Sequence, residues 1–340
     1  MVNPAATVPE VNLGKSSAPL ITIEDLHVEY AGSRGSVRAV DGISFQIRPG
    51  EVVGLAGESG SGKSTVAQAI LRILQPPAII TGGKVIFDGQ DILAMNDKEL
   101  EAFRWRDVSM VFQSAMNSLN PVMTVGDQIV DAIQAHEPMR DAEAKARARE
   151  LFKVVGIEEG RITSYPHQLS GGMRQRAVIA IALALNPPLM IMDEPTTALD
   201  VVVQKDIMSQ IADLKEKLGF SILFITHDLS LLVEISDRIA IMYAGQIVEM
   251  APARSLFERP LHPYTQGLMS SFPGLSGARV RLTGIPGSPP NLMAPPSGCR
   301  FHPRCQHRFG PCDHVVPKFL EVEPDHWVSC HLLTQSEERS

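Results

Sequence analysis

Eight consecutive residues near the start of the chain have the composition of a phosphate-binding loop. They run Gly57-Glu-Ser-Gly-Ser-Gly-Lys63-Ser64, after the apolar segment Val52–Leu55 and before a helical pattern with Val66 on its apolar face. Glycines let consecutive backbone N–H groups surround phosphate oxygens, and the start of a helix adds partial positive charge. The lysine can reach the outer phosphates, and the serine hydroxyl can bind magnesium. The strand, loop and helix together predict a nucleoside triphosphate site. Its predicted contact residues are Gly57, Glu58, Ser59, Gly60, Ser61, Gly62, Lys63, Ser64 and Thr65.

Four shorter segments with polar or glycine-rich residues follow where predicted strands end or helices begin. In chain order they are Val111-Phe-Gln113, Leu169-Ser-Gly-Gly-Met-Arg-Gln-Arg176, Leu189-Met-Ile-Met-Asp193-Glu194 and Ile225-Thr-His227-Asp228. The third is a buried strand that ends in two carboxylates, which can bind a metal and activate water. Two solvated charges at the end of a strand are the alternative interpretation of this pair.

Together with the phosphate loop, these segments resemble the motifs of the ATP-binding-cassette family, over roughly residues 20–250. The resemblance implies an ATPase that uses ATP and Mg²⁺, and phosphoryl transfer needs mainly positioning and charge stabilisation. The implied catalytic residues are Glu194, which orients or deprotonates the attacking water, His227, which contacts the γ-phosphate, and Gln113. The implied magnesium site consists of Ser64, Gln113 and Asp193, the last acting through water.

In this family, a glycine-rich turn of one cassette closes over the nucleotide of another, so the resemblance implies that hydrolysis requires a dimer. The helix after the turn then directs its N-terminus at the γ-phosphate. The residues implied at this trans site are Leu169, Ser170, Gly171, Gly172, Gln175 and Asp200. Tyr30 matches the aromatic residue that stacks on adenine, although a tyrosine in an alternating strand can equally serve in packing. His227 can likewise be an ordinary loop histidine.

The C-terminal part carries the motif His262-Pro-Tyr264-Thr, a proline-rich stretch and all four cysteines of the chain. It resembles the tail of the ATPases of oligopeptide, dipeptide and nickel importers. That resemblance implies a four-iron four-sulfur (4Fe-4S) cluster bound by Cys299, Cys305, Cys312 and Cys330.

The cysteine spacing itself leaves the kind of site open. Five, six and seventeen residues separate successive cysteines, whereas structural zinc sites usually pair their cysteines two to four residues apart, and ferredoxin spacings differ as well. An iron–sulfur cluster, zinc and free thiols therefore remain possible. We expect a cluster to staple a module too small to fold on its own core rather than to transfer electrons. The nearby histidines are expected to be solvated or structural; they are His302, His307, His314 and His331.

The hydrophobic pattern predicts an α/β fold. Residues 21–50 alternate as antiparallel strands do, while Leu189–Met192 and Ile222–Ile225 are unbroken apolar runs, typical of parallel strands covered on both faces. Helix formers dominate from about Asp97 to Gln168. The predicted class is a P-loop NTPase core with an antiparallel β subdomain, an inserted helical subdomain and a small cysteine-rich C-terminal module.

Three regions are predicted along the chain. Residues 1–19 form a disordered N-terminal tail, and residues 20–255 form the nucleotide-binding domain, with the helical subdomain at about 97–175. Residues 256–340 form a C-terminal domain of the oligopeptide-transporter type. Closely spaced prolines between 286 and 296 exclude regular helix or central strand there.

Composition limits the location and partners of the chain. Of its 340 residues, 44% are hydrophobic, and the net charge of −7 argues against nucleic-acid binding. The first twenty residues lack the apolar run of a secretory signal. The longest apolar stretch, Ala177–Leu185, is shorter than the roughly 20 residues of a membrane-spanning helix. We therefore expect a cytosolic chain that meets a membrane only through a partner, and the resemblance implies a peripheral position on the cytoplasmic face of the inner membrane.

The resemblance implies a paralogous ATPase subunit as partner in a heterodimer, two transmembrane permease subunits and, indirectly, a solute-binding protein. It implies import of dipeptides or oligopeptides, with nickel or oligosaccharide as alternative cargo. A soluble cassette ATPase of DNA repair or translation is a remote alternative, because only residues 114–168 separate Gln113 from Leu169 and one cassette is present. A regulatory module without turnover would be expected to lack Glu194 or His227.

Overall fold

The computed structural model describes residues 18–33, 35–113, 118–197, 199–270 and 284–334. Most of the predicted disordered tail, residues 1–17, lies outside these ranges. The strands are β1 (Ile21–Gly32), β2 (Gly35–Ile47), β3 (Val52–Ala56), β4 (Ala78–Phe87), β5 (Gln90–Asp91), β6 (Val108–Val111), β7 (Leu189–Asp193), β8 (Ser221–Ile225), β9 (Arg238–Tyr243), β10 (Gln246–Pro252), β11 (Leu320–Glu323) and β12 (His326–Val328).

The helices lie between these strands and after them, as expected for an α/β chain. They are α1 (Lys63–Ile70), α2 (Asp97–Phe103), α3 (Val125–Gln134), α4 (Asp141–Val154), α5 (Gly171–Ala182), α6 (Val201–Leu218), α7 (Leu229–Ile235), α8 (Ala253–Glu258), α9 (Pro263–Ser270) and α10 (His331–Thr334). Short 3₁₀ turns occur at Ile92–Ala94, Glu159–Thr163, Pro166–Gln168, His302–Arg304 and Gly310–Asp313. None of the helices in the described ranges is long and apolar enough to cross a membrane.

The chain divides into two compact units. Unit 1 comprises Met1–Pro19, Arg48–Glu51 and Asn96–Ile222, and unit 2 comprises Leu20–Ile47, Val52–Met95 and Leu223–Ser340. The described residues beyond 255 therefore fall in unit 2 with the phosphate loop. A separate C-terminal domain starting at residue 256 stays a prediction.

Unit 1 contains α2 to α6 and the parallel strand pair β6 and β7. The longest helix inside the stretch predicted to be rich in helix formers is α4, whose buried residues include Ala144, Ala148 and Phe152 at helical spacing. Side chains cap several of these helices. Thr124 accepts a hydrogen bond from the backbone N–H of Asp127 at the start of α3, and such a cap stabilises a helix by about 1 kcal/mol.

The first sheet of unit 2 has the strand order β2-β1-β4-β5. Its strands are antiparallel, with Ile21 opposite Ile47 on one side and Phe87 on the other. Alternate residues of β1 are buried, as the period of two in the sequence predicts. The predicted antiparallel β subdomain is confirmed.

The second sheet of unit 2 has the order β11-β12-β10-β9-β3-β8. β3 runs parallel to β9, and all five of its residues are buried. β12, from the cysteine-bearing end of the chain, pairs antiparallel with β10, with Glu249 opposite Val328. The end of the chain thus extends the sheet whose strand β3 leads into the phosphate loop.

Candidate functional site

The phosphate loop lies between β3 and α1, and two of its glycines cannot be replaced without strain. Gly57 has φ 148° and Gly62 has φ 106°, values that side-chain-bearing residues rarely adopt. A Cβ at Gly57 would lie 2.1 Å from the carbonyl oxygen of Met242, and one at Gly62 would lie 2.1 Å from that of Ala39. The backbone turn of this loop therefore depends on glycine at both positions.

Lys63 is the first residue of α1, and its side chain folds back over the loop. Its ammonium donates hydrogen bonds to the carbonyl oxygens of Gly57 at 2.8 Å and Glu58 at 3.0 Å. Ser61, another residue of the loop, is buried, and its backbone carbonyl accepts a hydrogen bond from the N–H of Gly245 at 2.9 Å. The loop thus holds one cation at the N-terminus of a helix, where the partial charge of the backbone is also positive.

The remaining predicted contact residues of the loop vary in exposure. Ser59 and Gly60 are exposed, Ser64 is half-buried, and Thr65 is buried in α1. Tyr30 is half-buried in β1, and its hydroxyl lies 3.3 Å from that of Thr65. The adenine-stacking role of Tyr30 stays a prediction.

In unit 1, Gln113 and Glu194 come together at the ends of two parallel strands. Val111 of β6 pairs with Met192 of β7, so both chains leave the sheet at the same edge. Gln113 Nε2 donates to Glu194 Oε2 at 2.9 Å, and the hydroxyl of Thr197 donates to the same oxygen at 3.0 Å. The carboxylate of Glu194 is therefore oriented by an amide and a hydroxyl.

The backbone at Glu194 has φ 47°, which a non-glycine residue adopts only at some energetic cost. Such strain is concentrated at functional sites. The preceding residue, Asp193, is the last of the fully buried strand β7 and is 3% exposed. A buried carboxylate followed by a strained, oriented one agrees with the predicted division into a metal-binding and a water-activating residue.

The glycine-rich turn in unit 1 leads into α5. Ser170 is exposed and caps this helix, since its hydroxyl accepts from the N–H of Met173 at 3.3 Å. A Cβ at Gly172 would lie 2.9 Å from Cγ1 of Val203, so the position favours glycine. Leu169 and Gln175 are buried, and Gly171 is half-buried.

Asp200 has a structural role in addition to its predicted one. Its carboxylate accepts from the N–H groups of Val202 at 3.1 Å and Val203 at 3.0 Å, and so caps α6. In unit 2, His227 is exposed in the loop between β8 and α7, where Asp228 caps α7 through the N–H of Ser230. The nucleotide-binding roles expected for Asp200 and His227 stay predictions.

The four cysteines are free thiols near the end of unit 2. Cys312 and Cys330 are buried, while Cys299 and Cys305 are half-buried. Burial, with smaller contributions from the other three cysteines, raises the pKa of Cys330 to about 12, and burial raises the pKa of Cys299 to about 11. Backbone N–H groups oppose these shifts by donating to the sulfurs. The backbone brings two of the four cysteines together, since the N–H of Cys299 donates to the carbonyl oxygen of Cys312 at 2.9 Å.

No group of three or more His, Cys, Asp or Glu residues in the described part of the chain has the arrangement of a metal site. The side-chain geometry thus gives no support to a bound metal, and the donor set of four thiols is its only indication. Two of the four neighbouring histidines bond to backbone, with His302 Nδ1 3.0 Å from the carbonyl oxygen of Cys299 and His331 Nε2 2.8 Å from that of Val315.

The sequence assigned no role to two residues that contact the phosphate loop, Arg304 and Tyr264, or to the buried Glu249, which contacts the residue His262 of the His-Pro-Tyr motif. Arg304 forms a two-point ion pair with Glu58 of the loop, and Tyr264 accepts a hydrogen bond from the N–H of Glu58 at 3.0 Å. Glu249, which is fully buried, accepts from the N–H groups of Leu261 and His262 and from His326. The His-Pro-Tyr motif was the one available signal, and it was used only as a family marker.

Comparisons with known proteins agree with these motifs. The family described as ABC transporter matches residues 40–197, and the family described as oligopeptide/dipeptide transporter, C-terminal region, matches residues 248–312. The chain is 45% identical to the probable peptide ABC transporter ATP-binding protein y4tR of Sinorhizobium fredii (strain NBRC 101917 / NGR234), over 92% of this chain and 94% of that protein. The chain belongs to the ATP-binding-cassette transporter family.

Other members of the family support the same placement. Oligopeptide transport ATP-binding protein OppD of Bacillus subtilis (strain 168) is 44% identical over 92% of this chain and 89% of its own length. The dimeric structure of a post-hydrolysis state of the ATP-binding cassette MJ0796, bound to ADP and Pi, is 30% identical with a TM-score of 0.62. That match covers 69% of this chain and 99% of the MJ0796 chain. The P-loop fold class is confirmed, and the chain is an ABC ATPase.

Proposed function

We propose that this ABC ATPase binds ATP with residues Gly57–Thr65 and uses its hydrolysis to power a peptide importer. The observation that carries the proposal is the loop itself, with two glycines in backbone conformations that exclude a Cβ and with the Lys63 ammonium held over the turn. Backbone N–H groups and a cation at a helix N-terminus form an anion site suited to a triphosphate.

The catalytic roles follow from the motifs and from the chemistry of each side chain. Ser64, Asp193 and Gln113 would hold Mg²⁺, with Asp193 acting through water, and the metal would supply charge stabilisation to the phosphates. Glu194 orients or deprotonates the attacking water, which is consistent with its strained backbone and its two hydrogen-bond donors. His227 contacts the γ-phosphate from the loop after β8.

Hydrolysis needs a second cassette. Its signature turn covers the nucleotide bound by this chain, and the turn of this chain, with Ser170 and Gly172, covers the nucleotide bound by the partner. The dimeric, ADP- and Pi-bound structure of MJ0796 supports a dimer by likeness. We propose a paralogous ATPase as the partner, together with two membrane permeases and, indirectly, a solute-binding protein. The chain then acts as a peripheral subunit at the cytoplasmic face of the inner membrane.

Peptide cargo is favoured over nickel or oligosaccharide by the names of the relatives. The y4tR and OppD proteins are named as peptide and oligopeptide transport subunits, and they match more than 90% of this chain. The match to the oligopeptide/dipeptide transporter C-terminal family supports the same choice.

Transport assays in proteoliposomes test the cargo. The chain is reconstituted with its permeases, the paralogous ATPase and the solute-binding protein, and uptake of a labelled tripeptide, of Ni²⁺ and of an oligosaccharide is measured. We expect ATP-dependent uptake of the tripeptide and its loss in the Glu194→Gln variant. Uptake of Ni²⁺ or oligosaccharide in place of the peptide would contradict the proposed cargo.

We also propose that Cys299, Cys305, Cys312 and Cys330 bind an iron–sulfur cluster, which would tie the end of unit 2 together. The support is the presence of four soft thiol ligands between residues 299 and 330, together with the backbone contact between Cys299 and Cys312. Metal and sulfide analysis after anaerobic purification tests it. About four irons per chain are expected for a 4Fe-4S cluster. Stoichiometric zinc, or no metal at all, would reject the cluster.

A further inference from the structure

The residue Glu58, in the second position of the phosphate loop, is held at all three of its polar groups. Its carboxylate accepts from Arg304, with Nη1 to Oε2 at 2.7 Å and Nη2 to Oε1 at 3.0 Å. Its N–H donates to the hydroxyl of Tyr264 at 3.0 Å, and its carbonyl accepts from Lys63 at 3.0 Å. Two of these three contacts come from residues beyond the cassette motifs.

The guanidinium of Arg304 is itself held in place by several contacts. Its Nε donates to the carbonyl oxygen of Pro286 at 2.8 Å, and its Cζ lies over the rings of Tyr243 and Phe301, at 5.8 and 6.0 Å from the ring centroids. The side chain is 6% exposed. Because a two-point ion pair with a planar guanidinium fixes both distance and direction, Arg304 defines where the carboxylate of Glu58 lies.

Tyr264 is equally constrained. It is fully buried, its ring lies 4.5 Å from that of Tyr243 and 5.4 Å from that of Phe301, and its N–H donates to His262 Nδ1 at 3.0 Å. The N–H of His262 in turn donates to the buried carboxylate of Glu249 at 2.9 Å. The His-Pro-Tyr motif therefore forms a rigid path from β10 to the backbone of the phosphate loop.

We propose that Arg304 and Tyr264 are positioning residues for ATP binding. Tyr264 fixes the backbone of the phosphate loop at Glu58, and Arg304 neutralises and turns aside a carboxylate that would otherwise repel the phosphates. This proposal rests on the proposed role of Gly57–Thr65 as the ATP site.

The physical basis is the sign and the proximity of the charges. Glu58 adjoins Gly57 and lies five residues from Lys63, so an unpaired carboxylate there would face a ligand with several negative charges. Repulsion between like charges a few ångströms apart is strong where water is partly excluded. An arginine paired at two points removes most of that repulsion and leaves the backbone N–H groups of the loop to attract the anion.

A double-mutant cycle tests the role of Arg304. The Kd of a fluorescent ATP analogue is measured for the wild type, Arg304→Met, Glu58→Gln and the double variant. We expect Arg304→Met to raise the Kd about tenfold, because one carboxylate is left uncompensated. In the Glu58→Gln background, the same substitution should change the Kd less than about threefold, because the charge to be neutralised is absent. A general folding defect would persist in both backgrounds.

Arg259→Met is the matched control, because Arg259 pairs with Glu323 in the same unit without contacting the loop. Its Kd for the analogue should equal that of the wild type. In the reconstituted transporter, Arg304→Met should raise the KM for ATP with little change in kcat, and Arg304→Lys should restore part of the affinity. Equal Kd values for Arg304→Met and Arg259→Met, or the same loss in both backgrounds of the cycle, would overturn the role of Arg304.

Tyr264→Phe tests the backbone contact separately, because it keeps the ring and removes the acceptor for the Glu58 N–H. We expect a Kd about three- to tenfold higher, in line with one lost hydrogen bond. An unchanged Kd would overturn the role of Tyr264. Lys63→Ala separates the two proposals. If it binds the analogue as the wild type does, the ATP site is wrong and the positioning proposal falls with it. If it loses binding while Arg304→Met and Tyr264→Phe do not, only the positioning proposal fails.

Discussion

The phosphate loop of unit 2 and the signature turn of unit 1 are both predicted to face phosphate, yet their surroundings differ. The loop has Glu58 held by Arg304, Tyr264 and Lys63, and two glycines packed against neighbouring backbone. In the turn, Ser170 is exposed and its hydroxyl serves as the cap of α5. The phosphate loop is held in its conformation by other residues of unit 2, whereas the signature turn of unit 1 exposes the N-terminus of α5 to solvent.

This difference indicates that the loop and the turn have different roles, the loop in nucleotide binding and the turn in hydrolysis. A loop whose backbone is already fixed can bind a nucleotide without a large ordering cost, since preorganised donors need not be rearranged. In the proposed dimer, the exposed turn acts on the nucleotide bound by the partner cassette. We therefore expect the isolated chain to bind ATP, and turnover to require the turn as well.

The largest effect is expected for Glu194→Gln, which keeps the size of the side chain and removes its basicity. Turnover should fall on the order of 10³-fold, within the range that a general base contributes, while ATP binding is preserved. Phosphate release and the Kd of a fluorescent ATP analogue check the two halves of this prediction. Glu216→Gln, at an exposed position of α6, is the control with unchanged turnover. A normal rate of ATP hydrolysis in Glu194→Gln would contradict the assignment of Glu194 as the residue that orients or deprotonates the attacking water.

A smaller effect is expected for Ser170→Arg, which places a bulky side chain at the signature turn. Turnover by the assembled transporter should fall on the order of 10²-fold, as for lost phosphate-facing donors. The Kd for ATP of the isolated chain should stay unchanged, because the loop lies elsewhere in the sequence and has its own supports. Ser209→Arg, on the exposed face of α6, is the control. Equal turnover in the two variants would show that the turn takes no part.

The smallest effect is on the free energy of unfolding rather than on activity, and it tests the role of His262 in the His-Pro-Tyr motif. Burial lowers the pKa of His262 to about 4, against an opposing contribution from Glu249. The unfolded chain then binds a proton that the folded chain excludes, so stability is lost as pH falls from about 6.5 towards 4. Between pH 7 and 5 this group should cost roughly 2 kcal/mol of unfolding free energy.

Thermal unfolding at the two pH values measures this loss. His262→Asn should lose less stability between pH 7 and 5 than the wild type, because asparagine does not titrate. His167→Asn, at an exposed position, should behave like the wild type. An identical pH dependence in His262→Asn would refute the assignment of the loss to His262.

The sequence predicted the elements that have strong local signals. The phosphate loop combines a glycine-rich motif with a strand before it and a helix after it, and β7 is an unbroken apolar run that ends in two carboxylates; the structure contains both. The resemblance implied a shared catalytic role for Gln113 and Glu194, whereas the pairing of β6 with β7 that brings them into contact comes from the structure. The capping role of Asp200 could have been predicted from its position before a helical pattern.

The contacts of Arg304 and Tyr264 could not be predicted in this way. Arg304 lies 246 positions after Glu58 in the sequence, and Tyr264 lies 206 positions after it. No hydrophobic pattern or motif spacing in the sequence indicates that residues so far apart are in contact. Long-range pairing of this kind depends on which strands become neighbours, and that follows from the three-dimensional fold.

The most direct test of the central claim is the affinity of the isolated chain for ATP when Lys63 is replaced by alanine. The loss of a cation that faces the outer phosphates should raise the Kd of a fluorescent ATP analogue on the order of 10²-fold. Lys217→Ala, at an exposed position of α6, should bind as the wild type does. An unchanged Kd in Lys63→Ala would contradict the assignment of Gly57–Thr65 as the ATP site.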